Sequence, residues 1–314
     1  MRALIFHGPG DVRLEEVARP EPAEGDVLVE VEVALTDGTD AKAYRRGHPV
    51  LLGPPPSPFG HEFCGIDTAT GRRVVAANSA PCGQCAACLR GDESLCEKLF
   101  PLVNGAYAEA MLVPARVAAR NLLPVPDGLA PEVAAMLEPL ACCLHGVERA
   151  AIAAGDTVAV LGTGPIGLML CACAADGGGR PVAVGGRPER RALAPEFGAE
   201  PGDGSGADVV IEAAGTPEAW AQALDLVRPG GTVVFFGGVA QRTVPLDAYR
   251  VHYEELTVRG AFHHTPRTVR AALAFLASGA YPWERLITHR VGLEGVVPLL
   301  ADPPRDLLKA AVYP

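Results

Sequence analysis

At 314 residues the chain is long enough for two domains, each with its own core, and 49% hydrophobic with 20% charged residues is ordinary for a globular protein. A net charge of −10 speaks against a nucleic-acid or anionic-membrane surface. No apolar run reaches membrane-spanning length and no apolar leader follows Met1. The expectation is therefore a cytoplasmic protein whose nine cysteines serve as thiols or metal ligands and not as disulfides.

Val27, Val29, Val31 and Val33 alternate with Leu28, Glu30 and Glu32, which predicts a half-exposed strand. Similar β-rich pieces lie at 3–6, 73–77 and 107–113, and Pro and Gly are dense over 47–60. The N-terminal part thus reads as a mostly β, irregular domain. Pro131 opens a predicted helix over 131–151, with Val133, Met136, Leu137 and Leu140 on one stripe and Gly155 beyond its end. Strands are then expected at 158–161, 182–184, 209–212 and 232–236, separated by helices such as 188–197 and 217–227. That alternation predicts a parallel sheet covered on both faces. A helix over 267–278 leads to a short C-terminal segment. Basic residues are almost all Arg, with Lys only at 42, 98 and 309.

The middle of the chain is organised around Ala159-Val160-Leu161-Gly162-Thr163-Gly164-Pro165-Ile166-Gly167. A buried strand runs into glycines at G-x-G-x-x-G spacing and then into an apolar helix, the context a dinucleotide fingerprint needs. Gly162 permits the tight turn, Gly164 lets backbone approach a pyrophosphate, and Gly167 lets helix pack close on strand. Pro165 and Ile166 open the helix whose N-terminus faces the phosphates. After the next strand come Gly185, Gly186, Arg187, Arg190 and Arg191. Gly185 stands where an NAD-binding chain carries an acidic residue, and the arginines suit a phosphate, so NADP is expected in preference to NAD.

Cys82, Cys85, Cys88 and Cys96 have the spacing of a closed tetrahedral zinc site, with Gly83 and Gly91 easing the turns. Four thiolates leave no open position, so that zinc is structural.

Gly60-His61-Glu62, the four cysteines, Glu138-Pro139-Leu140, the glycine motif, Asp208–Ala213 and Pro229-Gly230-Gly231-Thr232 occur in this order. The ordered set resembles the zinc-containing medium-chain dehydrogenases that act on alcohols, polyols and sugars, and the resemblance covers essentially the whole chain. It implies a mostly β GroES-like catalytic domain (1–139), a Rossmann-type domain (140–266), and a return to the catalytic domain (267–314). The catalytic cleft is expected between the two domains. The family's first catalytic zinc ligand is a Cys; here the segment reads Asp37-Gly38-Thr39-Asp40, similar to that of certain glucose dehydrogenases, notably halophilic archaeal ones. The resemblance therefore implies Asp37 and His61 as ligands, with either Glu62 or Glu138 as the second carboxylate. A carboxylate is an anionic zinc ligand as a thiolate is, though a harder one.

By the same resemblance Thr39 is the proton relay, Lys42 stands where some relatives have a relay His, and Asp40 orients His61. Zinc would act as Lewis acid while hydride passes to the nicotinamide. Cys142 is a candidate nicotinamide neighbour or a packing thiol. The loop after Gly65 and the connection from Gly198 to Asp208 are short for the family. The implied enzyme is a homodimer or homotetramer that oxidises a secondary hydroxyl of a sugar, polyol or cyclitol. The alternatives are a simple secondary-alcohol dehydrogenase, a zinc-free enone or quinone reductase, and a non-catalytic relative keeping only the structural zinc.

Overall fold

The computed structural model describes residues 1–48 and 51–314, so Pro49 and Val50 of the Pro/Gly-rich 47–60 stretch lie outside the description. The described chain forms two compact units, Met1–Pro139 with Thr265–Pro314, and Leu140–His264.

In the first unit the strand Val27–Leu35 is the hub. Among the described residues its sheet runs Ile287–Gly292, Lys309–Tyr313, Val27–Leu35, Glu62–Asp67, Arg73–Ala76, Leu122–Pro124, and Ala110–Val113 also pairs with Val27–Leu35. A smaller sheet joins Asp11–Glu16, Arg2–Gly8 and Ser57–Pro58. The valine alternation works as read: Val29, Val31 and Val33 are buried while Glu30 is exposed. Leu4, Phe6, Phe59, Phe63 and Val29 share one apolar cluster with Leu293, Leu300 and Val312, so the C-terminal segment completes the core that the N-terminal strands begin. Register matters for chemistry here. Ala311 pairs with Leu35, and Leu35 pairs in turn with Glu62, which brings the last strand beside the residues that follow Gly60.

In the second unit the sheet order is Glu200–Gly202, Arg180–Val184, Thr157–Leu161, Ala207–Glu212, Val227–Phe235, Thr257–Gly260, all parallel. Thr157–Leu161 sits centrally and is flanked on both sides, which is why it reads as a continuous apolar run. The helix Pro165–Asp176 is buried from Gly167 through Ala174, which explains its nearly unbroken apolar sequence. Trp220 stacks on Phe235 with ring centroids 4.0 Å apart and seals the helix Pro217–Leu226 onto the sheet.

Four elements differ from the sequence reading. The 131–151 helix is two pieces, Pro131–Ala134 and Leu137–Ala150. Pro139 has no N–H for the carbonyl of Ala135, so the helix restarts with Pro139 in its first turn. The 188–197 stretch is a single turn, Pro188–Arg191, followed by a 3-10 turn, Ala194–Phe197, because Pro195 interrupts it in the same way. Only Ala110–Val113 of the 107–113 strand joins the large sheet; Ala108 makes one bridge to Ala3. The short Gly198–Asp208 connection still holds an edge strand, Glu200–Gly202, whose residues are all exposed. Among the described residues no helix is long and apolar enough to cross a membrane.

Candidate metal and nucleotide sites

The helix Gly38–Arg46 begins on a reciprocal pair of aspartates. Asp37 Oδ1 accepts the Asp40 N–H (2.7 Å) and Asp40 Oδ2 accepts the Asp37 N–H (3.0 Å), a capping box. One Asp37 oxygen is thereby committed to the helix start, and the other, Oδ2, lies 3.8 Å from His61 Nε2. The far ring nitrogen of His61, Nδ1, is 3.3 Å from Asp40 Oδ1. Asp37, His61 and Glu62 each offer a ligand atom within 4.8 Å of the others. Thr39 follows Asp37 at the start of this helix and helps to hold its carboxyl down, and Lys42 is partly exposed on the same helix.

Glu62 carries a partner that sequence reasoning missed. Both of its carboxylate oxygens accept from Lys309 Nζ (2.7 and 2.6 Å), which also donates to the Thr36 carbonyl (3.3 Å). Neither side chain has any solvent exposure, and two oxygens on one ammonium is the geometry of an ionised pair. The available signal was a rare lysine inside the apolar run Lys309-Ala310-Ala311-Val312 of the return strand. Glu138 is buried in the first turn of Leu137–Ala150; it lies outside the converging trio, but its charge is felt at His61.

The electrostatics are those of a cation site. Burial raises the Asp37 carboxyl, but His61 and Lys309 outweigh it and hold the group below its ordinary value. Burial would lower His61, yet Asp37, Asp40 and Glu138 hold it well above its usual range. Burial, then the charge of Asp37, raises Asp40. Burial pushes Glu62 up against the pull of Lys309, whose ammonium on both oxygens keeps the pair ionised, and Lys309 is held above its normal value by Glu62 and Asp37 despite its own burial. Four carboxylates thus surround one imidazole and one ammonium. The donor set of carboxylates and imidazole fits zinc, whose charge would take the place of the proton on His61.

The four cysteines converge as well, with their sulfurs within 4.8 Å of one another. Cys85 Sγ is 3.5 Å from Cys88 Sγ and 3.9 Å from Cys96 Sγ. Backbone N–H groups of Gln84 and Cys85 point at Cys82 Sγ (3.4 Å each), and that of Lys98 at Cys96 Sγ (3.3 Å). The Gln84 and Cys85 amides lower the Cys82 thiol to about 6, favouring a thiolate at that position, whereas burial pushes the Cys88 thiol up to about 12. Gly83 (φ +76°) and Gly91 (φ +87°) make the left-handed turns the knuckle requires.

In the second unit Gly162 has φ +115°, and a Cβ on Gly167 would fall 1.8 Å from the Gly162 carbonyl oxygen. Turn and helix therefore touch backbone to backbone. Gly164 caps Pro165–Asp176 without a side chain, a Cβ there would meet open space, and Ile166 is partly exposed beside it. A helix start of this kind suits a phosphate. Gly185 and Gly186 have φ +71° and +73°, and a Cβ on Gly186 would sit 1.8 Å from Thr163 Oγ1, so the end of the second strand is folded against the glycine turn. Arg187 caps the following turn, which also carries Arg190 and Arg191. Burial and the like charge of Arg187 lower Arg190, with Glu189 opposing them, a setting that an anion would relieve. Cys142 is partly exposed on Leu137–Ala150.

Comparisons with known proteins bear on both units. Residues 23–127 match the alcohol dehydrogenase GroES-like domain and residues 165–278 the zinc-binding dehydrogenase domain. The erythritol/L-threitol dehydrogenase of Mycolicibacterium smegmatis is 34% identical, over 93% of this chain and 91% of its own. The L-galactonate-5-dehydrogenase of Escherichia coli is 32% identical over 92% and 91%. This chain belongs to the zinc-containing medium-chain alcohol and polyol dehydrogenases. A crystal structure from Sinorhizobium meliloti 1021, described as a candidate zinc-binding dehydrogenase bound to NADP, superposes with a TM-score of 0.89 at 33% identity, covering 100% of this chain and 99% of that one. As a medium-chain dehydrogenase the protein is an oxidoreductase with a Rossmann-type parallel sheet and a GroES-like domain, and it uses zinc and a nicotinamide nucleotide.

Proposed function

We propose that this dehydrogenase oxidises a secondary hydroxyl of a sugar, polyol or cyclitol, with NADP preferred over NAD, at a zinc held by Asp37, His61 and a glutamate. The observation that carries the reading is the convergence of Asp37, His61 and Glu62 in front of Asp40. Zinc at that position would supply the Lewis acidity that lowers the pKa of a substrate hydroxyl. Asp40 Oδ1 faces His61 Nδ1 at 3.3 Å, placed to orient the ring, and Nε2 faces Asp37. Thr39, in the first turn of the helix that Asp37 caps, is the first carrier for the hydroxyl proton. Lys42, further along the same helix, is a later and weaker station. Lys309 holds both oxygens of Glu62, so the third protein ligand is either Glu62 drawn away from that ammonium or Glu138, whose charge is felt at His61.

The substrate class follows relatives that act on polyhydroxylated compounds, L-galactonate, erythritol or L-threitol, and sorbitol. NADP is supported by Gly185 in place of an acidic residue and by Arg187, Arg190 and Arg191 beyond it. Gly162, Gly164, Pro165, Ile166, Gly167 and Gly186 form the phosphate cradle of the reading. The four-cysteine zinc is structural. A homodimer or homotetramer is the expected assembly, with Thr257–Gly260 as an available sheet edge, and light scattering checks it.

A panel of sugars, polyols, cyclitols, simple secondary alcohols and enones, assayed with both nucleotides on protein of measured zinc content, tests the whole reading. Two zincs per chain with polyol turnover are expected. One zinc, or activity on enones alone, overturns it. Arg187→Ala separately tests the nucleotide. Loss of a charge-assisted phosphate contact removes about 1.5–3 kcal/mol, so NADP affinity should fall roughly tenfold to over a hundredfold while NAD is spared. Equal losses for both nucleotides overturn the NADP assignment.

A further inference from the structure

Behind the Asp37–His61 site lies a phenol that the reading above does not use. Tyr107 is fully buried, and its hydroxyl lies 2.5 Å from Asp40 Oδ2 and 3.0 Å from the Leu35 carbonyl oxygen. The hydroxyl has one proton to give, and the shorter contact, to the carboxylate, receives it. Asp40 Oδ2 therefore accepts twice, from Tyr107 and from the Asp37 N–H (3.0 Å), while Oδ1 faces His61 Nδ1 at 3.3 Å. Oδ2 is thus held from two directions, and Oδ1 is the oxygen left to face the imidazole.

Tyr107 is itself held rigidly. A Cβ on Gly60, the residue before His61 and one with φ +88°, would come within 2.7 Å of the Tyr107 ring, so the ring lies flush on that backbone. The Phe59 ring is tilted against it with centroids 5.7 Å apart. The Tyr107 N–H donates to the Phe59 carbonyl (3.1 Å), and its own carbonyl accepts from the Leu4 N–H (2.8 Å). One side chain thus fixes both the backbone that presents His61 and the carboxylate that orients its ring. Burial and the charge of Asp40 hold the phenol well above its usual range, so it stays a donor.

We infer that Tyr107 is a positioning residue of the dehydrogenase site: its hydroxyl pins Asp40, which holds His61 as the Nδ1–H tautomer with the Nε2 lone pair turned toward Asp37 and the metal. The inference rests on the proposed zinc site and adds to it a buried hydroxyl outside every ligand. Partners of ligating histidines set metal affinity by roughly 10- to 100-fold when removed. The effect here is transmitted through one intermediate, so the lower end of that range is expected.

The test is zinc affinity by chelator competition on the full chain, with the four-cysteine zinc as internal reference. Tyr107→Phe keeps the ring and removes only the hydroxyl. Its less tightly held zinc should bind about tenfold more weakly, with the reference zinc unchanged. In an Asp40→Ala background, which has no acceptor for the phenol, the same substitution should have no further effect, because the hydroxyl acts only through Asp40. Unchanged affinity in Tyr107→Phe, or equal losses with and without Asp40, overturns the inference. His61→Ala separates it from the reading on which it rests: if that variant keeps both zincs, the site itself is wrong. Should Tyr107→Phe fail to fold, the proton NMR spectrum of the zinc-loaded wild type still decides. A Tyr107 hydroxyl proton that is protected and shifted far downfield, as a short bond to Asp40 requires, supports the inference, and one that exchanges like a free phenol overturns it.

Discussion

The two donor clusters of this protein are built in opposite ways. The cysteine knuckle draws every ligand from residues 82–96, near the surface, on turns that two left-handed glycines allow. The Asp37–His61–Glu62 cluster is assembled from a helix cap, the residue after a tight glycine and the start of a strand, and is closed from behind by Lys309 of the last strand. Four thiols leave no coordination position for a substrate. Two or three oxygen and nitrogen donors do, which is the difference between a structural and a catalytic zinc. The lesson concerns support more than ligands. The local cluster needs only its own loop, whereas the distant one depends on contacts across the fold that keep buried charges in balance.

That contrast can be broken most forcefully at the knuckle. Cys85→Ser should remove one zinc and unfold the 82–99 region, since metal binding there is folding energy, on the order of 10 kcal/mol in isolated zinc peptides. Zinc content should fall from two to one, and the remaining zinc should still be the one that supports turnover. Wild-type thermal stability with two zincs would show that the knuckle is not a metal site.

Lys309→Met is next in size. It leaves Glu62 without a counter-charge in a fully buried position, which costs about 3–5 kcal/mol, and denaturant unfolding should show it. Lys309→Met combined with Glu62→Gln should recover much of that loss. A single variant as stable as the wild type would mean that Glu62 is carried neutral, not as half of an ion pair.

Thr39→Ala should keep both zincs and slow turnover roughly tenfold or more, mostly in kcat, if the hydroxyl carries the proton. The smallest effect is expected at Glu132, which ties down the return strand. It accepts from Arg290 (2.9 and 2.8 Å) and from the Tyr313 hydroxyl. Burial raises Glu132, but Arg290 and Tyr313 outweigh it and hold the group below its ordinary 4.5. The folded state therefore binds a proton less readily than the unfolded chain. The stabilisation is complete above about pH 4.5 and is lost as pH falls through the folded value. Arg290 is largely exposed and solvent screens the pair, so Glu132→Gln should cost no more than about 1 kcal/mol, seen as a shallower loss of Tm on acidification.

How far the sequence was legible follows the same division. The strand, glycine turn and helix over 157–176 could be read because each requirement is local: an apolar run, a positive φ and a missing Cβ. The knuckle was legible for the same reason. The helix over 131–151 was misread because stripe periodicity hid what Pro139 does to the Ala135 carbonyl. The edge strand Glu200–Gly202 escaped notice because an exposed edge with Pro and Gly carries no apolar signature. At the buried site the residues implied by family resemblance could be named, Asp40 beside His61 among them, but Tyr107 and Lys309 could not. Tyr107 reads as one more β residue and Lys309 as an isolated charge. What joins them to Asp40 and Glu62 is tertiary contact across 67 and 247 positions of sequence.

The central claim is that Asp37, standing where the family carries Cys, binds the catalytic zinc. Counting zinc and turnover in Asp37→Ala tests it most directly. One zinc per chain and no turnover are predicted, with the knuckle intact; two zincs and normal turnover would reduce Asp37 to the cap of its helix.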